Sequence, residues 1–252
     1  CGPSVHLVSN NGETFDSENP IREAGRLLEK GYVVAVKGNG GFHVACATTR
    51  DKPIARLRKV KHRREKPFAI MARNLPTVKT FAEINPREAE LLTSYIRPII
   101  LLNKSKDYYL SDLISPSLHN VGVMLPYTGL HFMLFDAVRE PAFVMTSANA
   151  PNEPIVVDND EAMEKLGSTV DFFLFHNRMI AQRCDDSVVR LHEGQDLSII
   201  RRSRGYAPEP IQLKKKAKRC VLGLGAEENV TVCILLSDKA FVSQHIGDVE
   251  NL

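Results

Sequence analysis

The chain has 252 residues, of which 43% are hydrophobic and 25% charged, and its formal net charge is +3. These values are ordinary for a globular protein of one large domain, or of one domain and part of another. So small a charge excludes histone-like binding along nucleic acid but allows a local basic patch. No apolar run approaches the ~20 residues of a membrane span and no signal peptide is visible, so we expect a cytoplasmic protein with no membrane partner. The five cysteines are scattered and odd in number, which excludes a disulfide framework.

Predicted helices and strands alternate in the first part of the chain. Asn19 and Pro20 are typical of a helix start, and Gly31 is a typical helix end. We expect Asp51 to cap a second helix, whose other faces are basic. The apolar patterns predict strands at 32–37, 42–48, 68–72 and 99–102, and further helices at 77–84 and 86–95.

The alternation continues after a polar loop predicted at 108–120. Thr128 and Asp158 are expected to cap helices, the second of which ends at Gly167. Strands are predicted at 121–125, 142–146, 172–175, 187–191 and 197–201. This order favours an α/β (α+β) fold, with a large, twisted, mixed sheet and helices on its faces.

The composition changes after residue 206 and suggests four parts. Residues 1–15 are a lead-in, 16–208 form the main domain and 209–219 are a basic linker. Residues 220–252 hold three predicted strands at 220–224, 230–236 and 240–245, with turns at 225–229 and 237–239. This second sheet is too short to build a core of its own.

The segment from Lys37 to Met71 suggests a site for a triphosphate. It begins with the glycine-rich turn 37–43 and continues into seven Lys or Arg against one acid between Arg56 and Lys66. Glycine lets backbone amides approach an anion, and the cations neutralise it. Each half has a simpler interpretation, because three glycines can be only a hairpin and a basic run only a solvated helix face.

Five motifs follow one another in a fixed order. They are Lys-Gly-x-Gly-Gly-Phe-His at 37–43, Lys-x-Arg-x-x-Lys-Pro-Phe-Ala-x-Met at 61–71, Thr-Ser-Ala-Asn at 146–149, Asp-Asp-Ser-Val-Val-Arg at 185–190 and Arg-Arg-Ser-Arg-Gly-Tyr-Ala-Pro at 201–208. Together they resemble the YrdC-like domain of the HypF family, the carbamoyltransferases of nickel–iron hydrogenase maturation. This resemblance covers about residues 1–210.

The ends of the chain resemble neighbouring parts of the same family. The stretches 223–227 and 243–248 are similar to the start of its ASKHA-type transferase domain, and Cys1 to Pro3 are similar to the end of its zinc-finger region. The resemblance implies a fragment that lacks the acylphosphatase domain, most of the zinc-binding region and most of the transferase domain. Zinc is then expected only in the missing upstream region, because Cys1 alone cannot supply the four ligands that zinc takes.

The resemblance implies an enzyme, a carbamoyltransferase that forms an adenylate. Carbamate derived from carbamoyl phosphate reacts with ATP and Mg²⁺ in the YrdC-like domain to give carbamoyl-adenylate. The carbamoyl group then passes to the C-terminal cysteine of the partner HypE and becomes a cyanide ligand. Only the adenylation step is expected to lie wholly within residues 1–210.

The same resemblance assigns the site residues. Lys61 and Arg63 are the catalytic pair on the triphosphate, with Lys66 beside them, and Ser147 and Asn149 face the adenylate. The other residues expected around the cavity are Lys37, Gly40, His43, Ser187, Arg202 and Arg204. Simpler interpretations stay open: His43 as a core histidine, Ser147 and Asn149 as a strand-ending turn, and Ser187, Arg202 and Arg204 as sheet-edge residues. No residue is assigned to a metal, because the pair Asp185–Asp186 is more often a solvated or capping pair.

Two rival functions fit the same patterns. One is a threonylcarbamoyl-adenylate synthase for tRNA modification, which the Phe42–His43 pair and the continuation after residue 208 disfavour. The other is a double-stranded-RNA-binding module that uses a basic concave sheet and the cations of 214–219. Nucleic acid is therefore a possible partner but not the favoured one.

Overall fold

The computed structural model describes residues 2–149, 153–192, 196–226, 230–244 and 246. Within these ranges the chain forms a ten-stranded mixed sheet, a separate four-stranded antiparallel sheet and six α-helices. The large sheet has the strand order β1-β8-β2-β3-β7-β4-β6-β5-β9-β10 and the small one β11-β14-β13-β12. The strands are β1 Val5–Ser9, β2 Val34–Lys37, β3 Phe42–Ala47, β4 Ala69–Ala72, β5 Ile99–Asn103, β6 Asn120–Met124, β7 Ala142–Ser147, β8 Phe172–His176, β9 Val188–Leu191, β10 Leu197–Arg201, β11 Ile211–Gln212, β12 Val221–Leu224, β13 Val232–Leu236 and β14 Lys239–Val242.

Local capping determines where most helices begin. The predicted caps Asn19, Thr128 and Asp158 are confirmed, since each side chain accepts hydrogen bonds from main-chain amides of its first turn. Gly31 ends the first helix in the left-handed conformation, with φ of 98°, as glycine readily does. The helices are α1 Pro20–Lys30, α2 Asp51–Val60, α3 Leu75–Val78, α4 Pro86–Thr93, α5 Gly129–Phe135 and α6 Asn159–Leu166.

Two helix predictions are wrong in detail. The N-cap of α2 is Arg50, without a side-chain bond, because the Asp51 carboxylate accepts from the Ser111 hydroxyl at 2.5 Å instead. The helix predicted at 77–84 is the short α3, which ends at Val78. The chain leaves it because Ala82 pairs with Lys104 in an isolated bridge and the Glu83 amide bonds to the Asn103 carbonyl.

The predicted fold class is confirmed, and the core has one apolar cluster on each face of the large sheet. Ile54 and Leu57 of α2 pack on one face, together with buried residues of α3, α4 and α6. Leu28 of α1 and Leu134 of α5 pack on the other. No helix in the described ranges is long and apolar enough to cross a bilayer.

The small sheet has little buried surface. Ala240, with 9% exposure, is its one strand residue among the buried hydrophobics of the described chain, while Leu222 and Leu224 of β12 are 63% and 73% exposed. Strand β11 lies inside the predicted linker 209–219 and pairs with β14. The predicted strand 240–245 begins one residue earlier, at Lys239, and its last residue, His245, is outside the described residues.

Candidate active site

Strand β7 and the end of helix α2 meet at the centre of the candidate site. Lys61 follows α2, and its ammonium Nζ donates to the carbonyls of Ser147 at 2.7 Å and Asn149 at 3.1 Å. The Asn149 Oδ1 also lies 3.4 Å from this Nζ and accepts from the Ser147 hydroxyl at 3.0 Å. Lys61, Ser147 and Asn149, which are up to 88 positions apart in the sequence, are thus in direct contact.

Arg63, in the loop after α2, contacts the same strand one residue before Ser147. Its Nη1 donates to the Thr146 hydroxyl at 3.2 Å, and its guanidinium stacks 5.3 Å from the ring centroid of Phe68. Within the described part of the chain, neither Arg63 nor Lys61 has an acidic partner within 4 Å. An open concavity of about 480 Å³ lies beside this group, lined by Arg58, Lys59, His62, Arg63 and Arg64.

Arg58 shapes the loop that carries these cations, a role that the sequence analysis missed. The side chain is buried, and it donates to the carbonyls of Arg63 at 2.9 Å and Arg64 at 3.0 Å. It also reaches the Leu113 carbonyl at 2.6 Å. Within the same loop His62 adopts the left-handed conformation, with φ of 49°. The five donors of one guanidinium therefore hold an irregular turn whose carbonyls have few other partners.

The charges in this group repel one another. Burial, and then the neighbouring charges of Arg63 and Lys66, lower the pKa of Lys61 to about 7. The pKa of Arg63 is lowered too, first by burial and then by the charges of Arg201 and Arg58. Burial costs a cation its hydration, and a counter-ion can compensate this cost. The site is therefore electrostatically prepared for an anion.

Arg201 is a second residue that the sequence analysis missed. It ends β10, its Nε donates to the Asp186 carbonyl at 2.9 Å, and its charge acts on Arg63. The neighbouring Arg202, which was predicted instead, turns away and donates to the carbonyls of Val242, Tyr206 and Glu209. Strand alternation was the available signal, because consecutive residues point to opposite sides.

Arg204 and Ser187, two further residues predicted at the site, are hydrogen-bonded within the protein. Arg204 pairs with Asp186, donates to the carbonyls of Ile96 and Arg97, and stacks 3.6 Å from the centroid of the Tyr127 ring. Ser187 is fully buried; its hydroxyl donates to the Arg204 carbonyl and accepts from the Ser203 amide. Neither side chain is placed to meet a nucleotide without giving up these bonds.

The glycine turn contributes packing at Gly40. A Cβ there would lie 2.3 Å from the Cys184 carbonyl oxygen, and the Cys184 amide donates to the Gly40 carbonyl at 3.0 Å. Lys37 is buried and donates to Asn159 at 2.7 Å, and burial lowers its pKa against the opposing charge of Asp158. Both residues are thus held close to neighbouring segments.

His43 and Lys66 differ in exposure. His43 is buried, lies opposite Ser147 in the β3–β7 ladder and bonds to Asp186 through Nε2 at 3.0 Å. Lys66 is exposed, and its charge contributes to the lowered pKa of Lys61. His43 is thus a partnered core histidine beside the candidate site, while Lys66 lies at its outer rim.

The described residues contain no group of three or more side chains suited to hold a metal. Asp186, the buried member of the aspartate pair, already binds His43 and Arg204. The predicted remnant of a zinc site depends on Cys1, which lies outside the described residues.

Comparison with known proteins places this geometry in a family. The profile named Sua5_yciO_yrdC, described as "Telomere recombination", matches residues 26–203. The chain belongs to the Sua5–YciO–YrdC family. Residues 216–252 match a second profile, the HypF Kae1-like domain.

Proteins that are similar over nearly the whole chain are HypF proteins. The probable carbamoyltransferase HypF of Methanocaldococcus jannaschii is 45% identical over 246 residues, which are 97% of this chain and 32% of that protein. The crystal structure of HypF from T. kodakarensis superposes with a TM-score of 0.94 at 44% identity and covers all of this chain. A full-length HypF in a phosphate- and nucleotide-bound form gives 0.92, also at 44% identity.

The chain spans about a third of the length of these HypF relatives. The resemblance predicted from the five motifs is therefore confirmed, with the YrdC-like part followed by residues that match the HypF Kae1-like domain. Sua5 from P. abyssi shares the fold at 19% identity, with a TM-score of 0.64.

Proposed function

We propose that residues 16–208 form carbamoyl-adenylate from ATP and carbamate, as one step of a HypF-type carbamoyltransferase. The observation that carries the proposal is the cationic group of Lys61, Arg63 and Arg201 near Ser147 and Asn149, which has no acidic side chain within 4 Å among the residues that the structure describes. A triphosphate supplies the negative charge that such a group lacks. The nucleotide-bound state of a HypF relative supports the choice of a nucleotide.

The reaction needs positioning and charge stabilisation more than covalent chemistry from the protein. A carbamate oxygen attacks the α-phosphorus of ATP, the bond to the β-phosphate oxygen breaks, and pyrophosphate leaves with the electron pair. Arg63 grips the phosphates bidentately and Lys61 places a point charge on them, so both compensate the charge on pyrophosphate. The hydroxyl of Ser147 and the amide of Asn149 orient the adenylate.

Lys61 must exchange partners when ATP binds. Its ammonium donates to the main-chain carbonyls of Ser147 and Asn149. Phosphate oxygens are stronger acceptors than neutral carbonyls, because the hydrogen bonds are charge-assisted on both sides. The exchange would also release the carbonyls to accept from the carbamoyl nitrogen.

The proposal extends to the whole protein by homology. Carbamoyl phosphate would be the source of carbamate, and HypE would receive the carbamoyl group from the domain that begins after the basic segment 209–219. We place the boundary of that domain near residue 220. Mg²⁺ would enter on the phosphates of ATP, because the described residues contain no group of three or more side chains suited to hold it.

Pyrophosphate exchange into ATP tests the proposal. The chain, ATP and labelled pyrophosphate are incubated with ammonium carbamate, with threonine and bicarbonate, or with neither. Exchange that needs carbamate supports the proposal, and exchange that needs threonine would instead indicate the threonylcarbamoyl-adenylate reaction. No exchange, together with salt-dependent affinity for double-stranded RNA, would favour the binding-module alternative.

A matched pair of variants connects the exchange to the site. Arg63→Ala should abolish most of it, whereas Arg56→Ala should not. Arg56 lies on α2 and pairs with Asp171 at 2.7 Å, so its loss removes an equal charge with little effect on the concavity. Equal loss in both variants would show that overall charge, and not the assigned site, supports the exchange.

A further inference from the structure

Asp186 is a buried aspartate that holds three side chains, two through its carboxylate and one through its main-chain carbonyl. Its Oδ2 accepts from Nε2 of His43 at 3.0 Å, and its Oδ1 accepts from Nε and Nη2 of Arg204 at 2.9 and 2.8 Å. Its main-chain carbonyl accepts from Nε of Arg201 at 2.9 Å. Only 8% of the side chain is exposed, so the protein and not solvent determines its partners.

Two of these contacts end at the candidate site. His43 is the register partner of Ser147, and Arg201 lies near enough to Arg63 for their charges to interact. Asp186 immediately precedes Ser187 and β9, and β9 is the fifth strand from β3 in the sheet order. The large sheet therefore curves until these two strands approach one another, and Asp186 bridges them.

Hydrogen-bond chemistry fixes the orientation of His43. Burial would raise the pKa of Asp186, but the hydrogen bond and charge of His43, together with Arg204, hold it well below its usual range. An ionised carboxylate only accepts, so Nε2 of His43 carries a hydrogen. The other ring nitrogen, Nδ1, is buried and has no hydrogen-bond partner among the described residues, and a Cβ on Gly38 would lie 3.4 Å from it. The hydrogen bond to Asp186 thus holds one edge of the His43 ring, and Gly38 lies close to the other edge.

We propose that Asp186 is a positioning residue for the nucleotide site. It holds Arg201 beside Arg63 through its carbonyl and His43 beside Ser147 through its carboxylate, so that groups from distant strands meet around one triphosphate. Arg204 is the counter-charge that keeps this carboxylate ionised and in place. The inference rests on the proposed use of ATP and adds a residue that is not expected to touch ATP.

The test is a double-mutant cycle on ATP affinity, measured by calorimetric titration of the chain. Arg201→Gln should weaken ATP binding about tenfold, because it removes a charge-assisted phosphate contact. Asp186→Asn keeps the main-chain carbonyl that holds Arg201 but removes the carboxylate charge that anchors this carbonyl through His43 and Arg204, so it should displace the same contact and cost about as much. The double variant should be no more than about threefold weaker than either single variant, because both changes act on the Arg201 contact. Asp171→Asn is the matched control. Asp171 lies just before β8 and accepts from Arg56 and from the Val33 amide, so this change also removes a structural carboxylate. It should leave ATP affinity within about twofold.

Several outcomes separate this inference from the proposed function. Absence of ATP binding by the unaltered chain would overturn both. Unchanged affinity in a folded Asp186→Asn variant, or losses that multiply to about a hundredfold in the double variant, would overturn only the positioning role. Should Asp186→Asn not fold, Asp186→Glu replaces it under the same criteria, because this variant keeps the charge and moves it by one methylene.

Discussion

Residues 58–66 and 201–204 each carry three arginines, but the partners of those arginines differ. In the first segment Arg63 has one hydroxyl and one aromatic ring as partners. In the second, Arg204 has a buried carboxylate, two carbonyls and an aromatic ring. A guanidinium with all donors satisfied inside the protein stabilises the fold, whereas one with donors left over can bind an anion. The two uses are distinguished by the partners and not by residue type.

The largest effect expected from this comparison is the loss of Arg204. Arg204→Ala leaves Asp186 buried with one cationic partner fewer, which should lower the free energy of unfolding by about 3–5 kcal/mol. Denaturant unfolding of the ligand-free chain measures it. A loss below about 1 kcal/mol would mean that the pair is weakly coupled to folding, as exposed pairs are.

For Arg63 we expect a large loss of ATP affinity and a small loss of stability. Arg63→Ala should weaken ATP binding by about 1.5–3 kcal/mol, because a charge-assisted phosphate contact is lost. The free energy of unfolding should change by less than about 0.5 kcal/mol, since the charges of Arg201 and Arg58 repel this side chain in the absence of ligand. Titration calorimetry measures the loss of ATP affinity, and denaturant unfolding of the same preparation measures the loss of stability. A stability loss as large as the binding loss would place Arg63 with the structural arginines.

The sequence predicted the local parts of this arrangement well. The caps at Asn19, Thr128 and Asp158 depend on neighbours within the first turn of each helix, so their residue types were sufficient. The contact of Lys61 with Ser147 and Asn149 was anticipated only because motifs of one family occur in order.

The assignment of Arg201 and the buried role of Asp186 were not predictable in this way. Both depend on how far the sheet curves between β3 and β9, which is the summed result of many strand pairings. Arg58 was missed for a related reason, since its buried side chain is supported by carbonyls that are placed only once the loop has folded.

Lys61 should make ATP affinity depend on pH, and this effect is intermediate in size. With a pKa of about 7 in the ligand-free protein, Lys61 must take up a proton to bind ATP at higher pH. The affinity should therefore fall as pH rises above about 7, by at most about 1.4 kcal/mol per pH unit. Lys61→Arg should remove this slope, because arginine stays charged. Calorimetric ATP titrations from pH 6.5 to 9 in buffers of different ionisation enthalpy would detect the proton taken up on binding. Equal pH slopes of ATP affinity in the unaltered chain and in Lys61→Arg would exclude Lys61 as the group that takes it up.

The same group makes a prediction for stability in the absence of ATP. The folded pKa of Lys61 lies below the unfolded value of 10.5, so the unfolded chain binds more protons between pH 7 and 10.5. Its contribution to the free energy of unfolding therefore increases as pH rises through that window and is lost as pH falls toward 7. Comparison of the unfolding curves of the unaltered chain and Lys61→Met isolates the effect, and identical pH slopes would contradict it.

The smallest effect is expected at Arg202. Its donors reach the carbonyl of Val242 in β14, so Arg202→Ala should loosen the small sheet by about 1 kcal/mol and leave ATP affinity unchanged. Amide hydrogen exchange of β13 and β14 is the suitable measurement. A change in ATP affinity of tenfold or more would return Arg202 to the nucleotide site, where the motif alone had placed it.

The opposite directions of Arg201 and Arg202 constrain how this segment can change in length. The pairing of β10 with β9 has an irregularity between Ile199 and Arg201, and this irregularity sets the side that the residues after it face. One further residue inserted or deleted between Leu197 and Arg201 would exchange the positions of Arg201 and Arg202. The guanidinium beside Arg63 would then face the small sheet, and the donors that reach Val242 would face Asp186. Substitutions at the exposed Ile200 can be tolerated one at a time, but single-residue insertions and deletions in this strand should be absent from functional descendants of the chain.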